Sequence, residues 1–351
     1  MLLLLACTGP ADDTGEPAAP VDILTELAAP GPFAVGHQDT TVVYADTVGT
    51  GERTLHLSLW YPTTATDGDD ATYFGGVIAA EGVWQDAPVA PGPFPVAVFS
   101  HGHQAYAEAA AFLMEHLASH GWVVAAPDHT GNTTLDGADR VTEIYGQRPR
   151  DVSAVLDWLE AASAGGDLPL TDTRVAMGHS FGGYTTLALL GATYAPAALD
   201  CPDATTGFCS TMTPTLRALF EAGFAEPRFD AGLVMAPGDY GLFQATGIGA
   251  ITTPTLLMTG TEDQPPGSEV DELWAALQGD GARRVTLDGA GHNSFTDFAD
   301  VIEDVTMPAE TSTRIVDVYG LAWARQADGD ADVAPILDGE TAVAAEATLG
   351  Q

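Results

Sequence analysis

Lysine is absent from this chain. Its 11 basic residues are all arginines, set against 49 Asp and Glu, and the formal net charge over 351 residues is −38. A chain with so few cations has no basic footprint for a phosphate backbone, which excludes nucleic acid as a partner, and an anionic membrane surface would repel it. The carboxylate excess favours solubility at a cost in self-repulsion that salt relieves; adaptation to high salt and genome composition both produce such a balance. Long apolar runs are missing too, since none reaches the roughly 18 residues of a membrane-spanning helix. What is present is a globular composition, 46% hydrophobic, in a chain long enough to bury a large core.

Cysteine is scarce, with three residues in all. In an exported protein, the even pair Cys201 and Cys209 predicts a disulfide, with two free thiols as the alternative. No His or further Cys accompanies them at zinc-ligand spacing. Cys7 closes Leu4-Leu5-Ala6-Cys7, which resembles the lipobox of bacterial lipoproteins, whose cysteine becomes lipidated. The expectation is export, with a lipid anchor at the cell envelope through Cys7, or otherwise a periplasmic or secreted protein. A short apolar stub without meaning is the alternative. Residues 1–7 then read as a lipoprotein signal remnant, and 8–20 as an acidic Pro/Gly tether with little to bury. Residues 21–327 read as one catalytic domain, 328–351 as an acidic, Ala-rich tail, and the protein as a monomer.

Within the catalytic domain strand and helix signals alternate. Thr41–Tyr44 and Leu55–Tyr61 read as an opening antiparallel pair. Short apolar runs follow at 96–99, 122–126, 175–177, 233–236, 255–258 and 285–287, suited to strands buried on both faces. Helices are expected over 105–117, 150–162, 184–190, 269–277 and 315–325. This alternation predicts an α/β fold, a mostly parallel doubly wound sheet with helices on both faces. The stretch 192–231 is too long for a plain connection. It reads as a cap-like insertion over the active-site face, or else as an excursion without a substrate role.

The chemistry centres on Met177-Gly178-His179-Ser180-Phe181-Gly182-Gly183. This is G-x-S-x-G after a strand and before a helix, the context in which a serine is thrust out at the sheet edge. Gly178 and Gly182 are expected because a side chain would collide in so tight a turn. A serine hydroxyl needs a base, and histidine exchanges protons near neutrality. The fold's chain order is Ser, acid, His, and one histidine follows Ser180: His292, in Gly289-Ala290-Gly291-His292. The acid should follow the strand at 255–258, where Asp263 is assigned and Glu262 is its rival. Oxyanion donors are expected from the amides of Phe181 and of His103, in Ser100-His101-Gly102-His103. The pair His101 and His103 could also be read as an H-x-H metal motif. It lacks a third ligand at recognisable spacing, so neither metal nor cofactor is expected.

Several segments together carry a resemblance: Leu57-Ser58-Leu59-Trp60-Tyr61-Pro62, Val98–Gly102, Gly121–Thr133, Arg148-Pro149-Arg150-Asp151-Val152, Gly178–Gly183 and Gly289–Phe295. Spread over about residues 40–300, they resemble a bacterial branch of α/β-hydrolases described as dienelactone-hydrolase-like. That branch is related to platelet-activating-factor acetylhydrolase and to cutinase-like polyester hydrolases. The resemblance implies a Ser-His-Asp carboxylic-ester hydrolase without cofactor, acting on a small-molecule, lipid or polymer ester. An amide hydrolase on the same fold and a non-catalytic surface protein are the alternatives. Dienelactone hydrolases use a cysteine nucleophile where this chain has Ser180. Phe181 stands where polyester hydrolases often carry Met, and the 192–231 segment argues against an open, polymer-accommodating cleft.

Overall fold

The computed structural model describes residues 22–49, 51–136, 140–201, 207–263, 268–277, 281–302 and 305–350. The signal remnant and tether, with Cys7, lie outside them. The strands are β1 (Ala34–Asp46), β2 (Gly51–Thr63), β3 (Asp70–Tyr73), β4 (Ile78–Gln85), β5 (Phe94–Ser100), β6 (Val123–Pro127), β7 (Leu170–His179), β8 (Ala231–Met235), β9 (Thr255–Gly260), β10 (Arg283–Leu287) and β11 (Ala347–Gly350). They form one sheet in the order β11-β10-β9-β8-β7-β5-β6-β2-β1-β4-β3. From β10 to β6 every pairing is parallel, whereas β6–β2, β2–β1, β3–β4 and β10–β11 are antiparallel. The central strands β5, β6 and β8 are buried along their whole length, as a sheet covered on both faces requires.

The helices are α1 (Ile23–Ala28), α2 (Ala111–Ser119), α3 (Thr142–Gly165), α4 (Phe181–Leu189), α5 (Pro196–Leu199), α6 (Pro214–Ala222), α7 (Gln244–Ile248), α8 (Ser268–Leu277), α9 (Ala299–Ile302), α10 (Ala309–Ala327) and α11 (Ala334–Leu337). Two apolar layers pack on the sheet. Helices α2 and α10 cover one face through Leu113, Met114, Ile315 and Leu321. Helices α3 and α4 cover the other through Val155, Leu159, Tyr184 and Leu187. Among the described residues no helix is long and apolar enough to cross a membrane.

Topology fixes where a site can form. Strand β5 lies between β6 and β7. The chain therefore leaves β5 to one side, returns to the other, and opens a crevice outside the carboxyl ends of β5 and β7. Ser100–His103 ends the first of these strands and Ser180 follows the second.

The described residues of 192–231 pack beside this crevice and do not line it. Tyr194, Phe208, Phe220, Phe224 and Phe229 are all buried, and they draw the segment sideways onto α3 and α4. The Tyr194–Phe220 and Phe208–Phe220 ring centroids are 4.9 and 4.8 Å apart. The disulfide Cys201–Cys209 is formed within this lobe, with its Cα atoms 5.3 Å apart. Residues 328–350 pack onto the sheet and its helical layer. Val333, Ile336 and Leu337 are buried in the layer that contains α10, and β11 pairs with β10. Helix α3 begins eight residues before Arg150, running through Pro149, which a sequence reading takes as a boundary.

Candidate active site

Ser180 sits at the junction of β7 and α4 with φ 56° and ψ −118°. A non-glycine residue in this region stores strain and persists only where its surroundings over-determine it. Here its N–H donates to the Met235 carbonyl (3.0 Å), and its carbonyl accepts from the amides of Gly183 (2.8 Å) and Gly238 (2.9 Å). The glycines answer backbone crowding. A Cβ on Gly178 would stand 2.2 Å from the Gly182 carbonyl oxygen, and one on Gly182 would stand 1.7 Å from that of Ser100.

The Ser180 hydroxyl donates to His292 Nε2 at 2.8 Å, and His292 Nδ1 donates to Asp263 Oδ1 at 2.9 Å. The two loops carrying these partners cross closely. Glu262 N–H donates to the Ala290 carbonyl at 2.9 Å, and a Cβ on Gly260 would meet that same oxygen at 2.1 Å. Glu262, the rival acid, turns away: its carboxylate binds the Thr306 amide (3.0 Å) and hydroxyl. Sequence reasoning missed His179, the variable residue before the serine, which no motif flags. Its Nε2 donates to the His292 carbonyl at 2.8 Å and so holds that loop. Burial and the neighbouring His292 push its pKa down to about 3, so it stays neutral.

Gly102, His103, Gln104, Ser180 and His292 line one cleft of about 240 Å³. Among the described residues none of the 192–231 segment lines it. The Phe181 amide and Ser180 Oγ face one small space, since a Cβ on Gly238 would lie 3.8 Å from each. The two rings of His101 and His103 are engaged separately. His101 donates from Nδ1 to the Gly102 carbonyl (2.7 Å) and accepts the His129 amide at Nε2 (3.0 Å). His103 Nδ1 accepts from Asn132 Nδ2 at 2.9 Å. They do not converge on a common point as a metal pair would.

Beneath the cleft lies a buried polar network that the sequence did not announce. Arg148, wholly buried, donates to the His101 carbonyl, to Asn132 Oδ1 (2.8 Å), to Thr185 Oγ1 (3.1 Å) and to Ser100 Oγ (3.2 Å). Its guanidinium also stands 4.5 Å from the centre of the Phe181 ring, a cation–π distance. One arginine thus braces both loops that carry the expected oxyanion amides. Burial pulls its pKa down to about 9, which leaves it cationic at neutral pH. Ser100 in turn donates to His129 Nε2 (2.8 Å), and His129 Nδ1 donates to Asp151 Oδ2 (2.8 Å). Arg53 grips Asp151 through two bonds of 2.6 and 2.8 Å, and the Tyr44 hydroxyl adds a third at 2.7 Å.

Comparison with known proteins finds relatives named for ester cleavage. The family model described as Chlorophyllase matches residues 78–201, about a third of the chain. The bis(hydroxyethyl) terephthalate hydrolase of Streptomyces coelicolor is 33% identical over 192 residues, 53% of this chain and 49% of that protein. Cutinase 2 of Thermobifida cellulosilytica is 32% identical over 172 residues, 48% of this chain and 50% of that protein. The chain therefore spans about half the length of the curated relatives it matches. A ferulic acid esterase from Streptomyces cinnamoneus superposes with a TM-score of 0.68 at 21% identity, covering 93% of this chain and 99% of that one. The chain has the α/β-hydrolase fold and is related to the cutinase-like polyester hydrolases of bacteria.

Proposed function

We propose that this protein is a serine carboxylic-ester hydrolase working through an acyl-enzyme. Ser180 attacks the ester carbonyl while His292 Nε2 takes the hydroxyl proton. Asp263 keeps His292 in the tautomer that presents a bare Nε2, and it balances the imidazolium once formed. The amides of His103 and Phe181 receive the oxyanion, a contribution of about 3–4 kcal/mol per donor. His292 returns its proton to the departing alcohol, then activates the water that frees the acid. The steps require no cofactor.

The observation that carries this reading is the pair of bonds Asp263–His292–Ser180, made by a serine held in a strained turn at a cleft. The names of the relatives, which denote a terephthalate-ester hydrolase, a cutinase and an esterase, support the same reaction class. The disulfide accords with export, and attachment through a lipidated Cys7 belongs to the same proposal. The test is turnover of p-nitrophenyl butyrate by wild type, Ser180→Ala and His292→Ala, with labelling by a fluorophosphonate. Both variants should lose about 10⁴-fold or more in kcat, and Ser180→Ala should lose labelling, with the fold intact by circular dichroism. Wild-type-like turnover in either variant refutes the assignment.

A further inference from the structure

The cleft at Ser180 continues. Tyr106, Thr134 and Phe298 line both the 240 Å³ cleft and an adjoining cavity of about 470 Å³. The first is about half the size of the second and suits an ester with short substituents. A longer arm must pass Tyr106 and Phe298 into the second cavity.

That second cavity has an apolar wall. Val77 comes from the β3–β4 turn, Ile78 from the start of β4 and Leu135 from the opposite loop. Val77 is 81% and Leu135 90% exposed, in a chain of net charge −38. Phe74 stands at the threshold, its ring 4.4 Å from Tyr106 and 5.4 Å from Phe298. Its backbone is left-handed (φ 53°), as are Gly75 and Gly76 after it. Phe74 thus holds a conformation that L-residues enter at a cost, with its ring packed against Tyr106 and Phe298. At the polar end, His56 bridges Asp39 and Asp128 at 3.2 and 3.1 Å, with Glu108 alongside. The carboxylates there disfavour an anionic terminus.

We propose that this cavity is the subsite for a neutral apolar arm, alkyl or aryl, of the ester cleaved at Ser180. Phe74, Tyr106 and Phe298 form its entrance, and Val77, Ile78 and Leu135 its wall. The proposal rests on the ester-hydrolase reading.

Two ester series test it: p-nitrophenyl esters from acetyl to octanoyl, and acetates of ethyl to hexyl alcohols. They tell whether the acyl or the alcohol arm uses the cavity. In one series wild-type kcat/KM should rise roughly threefold per methylene once the first cavity is full. Val77→Asp and Leu135→Asp should each cut the long-to-short ratio of kcat/KM at least tenfold. This ratio does not depend on how much of a variant is folded. A ω-carboxylated long arm should be cleaved more slowly than its neutral isostere. Flat profiles in both series, or variant ratios within twofold of wild type, overturn the subsite while short-ester turnover leaves the hydrolase reading standing. Failure to cleave any ester overturns both.

Discussion

Among the described glycines the closest backbone approach lies where α4 begins against the end of β5, and Gly182→Ala probes it. The added Cβ would sit 1.7 Å from the Ser100 carbonyl oxygen and 2.5 Å from its carbonyl carbon, and Cβ contacts below 3.0 Å are essentially never seen. The two backbones must therefore part by at least 3.0 − 1.7 = 1.3 Å. Ser180 rides on the moving element, and its bond to His292 spans 2.8 Å. Along the bond, a shift of that size would take the pair beyond hydrogen-bonding reach. Misplacing reacting groups by about 1 Å costs roughly 10²-fold in rate, and overpacking of this kind costs about 1–3 kcal/mol in stability or more. Gly183→Ala meets Pro237 at 2.8 Å, a clash 1.1 Å less severe than that at Gly182, and Gly241→Ala meets nothing within 4 Å. The expected ranking of kcat/KM on p-nitrophenyl butyrate is Gly241→Ala equal to wild type, Gly183→Ala intermediate, and Gly182→Ala down by about 10²-fold or more. Thermal melts of the same samples separate misplacement from unfolding. A Gly182→Ala enzyme within threefold of wild type would falsify the geometric account of the turn.

Two further outcomes follow from the buried and half-buried charges. Arg148→Lys keeps a cation but cannot match a fork that reaches four acceptors; kcat should fall about 10–100-fold with KM within twofold, because the loops it braces matter most when negative charge develops, and an equal rise in KM would argue against that role. His56, charged between Asp128 and Asp39, has its pKa raised to about 10. Its pairing contributes stability that is fully present below about pH 6.5 and is lost as pH rises through about 10. His56→Gln should therefore melt below wild type at pH 6, modestly because the ring is partly exposed and screened, and the two should converge above pH 10; a gap that widens with pH contradicts the assignment.

The parts of the site legible in the sequence were those whose chemistry demands a local pattern. Gly178 and Gly182 flank Ser180 because the turn admits no side chain, and that need is written into adjacent residues. His292 and Asp263 could be found because chain order and the ends of β9 and β10 restrict where partners can stand. Arg148, His129, Ser100 and Asp151 come from three separate segments and share no spacing, so only folding brings them together. Pro149 masked the first turns of α3 and, with them, the inward direction of Arg148. The β3–β4 hairpin escaped notice because β3 has only four residues, too few for an alternating pattern to stand out. For 192–231 length alone suggested a cap, whereas buried aromatic residues decide where its described part packs.

Among the described residues two Ser–His–Asp chains of bonds occur, and their difference bears on what such a chain needs for its serine to react. Ser100–His129–Asp151 matches Ser180–His292–Asp263 bond for bond, each link between 2.8 and 2.9 Å. In the first, Arg53 already neutralises the aspartate. Burial and the charges of Arg148 and Arg53 drive the His129 pKa far down, so His129 cannot become the imidazolium that general-base catalysis requires. Ser100 is buried in the end of β5 and also accepts a bond from Arg148, so no carbonyl carbon can approach it. In the second, the aspartate is paired with its histidine alone among the described ion pairs, and the serine opens on a cleft. Connectivity is common to both. Access and an uncommitted negative charge belong to the second, and the first serves by fixing, through Arg148, the loop against which the second would work.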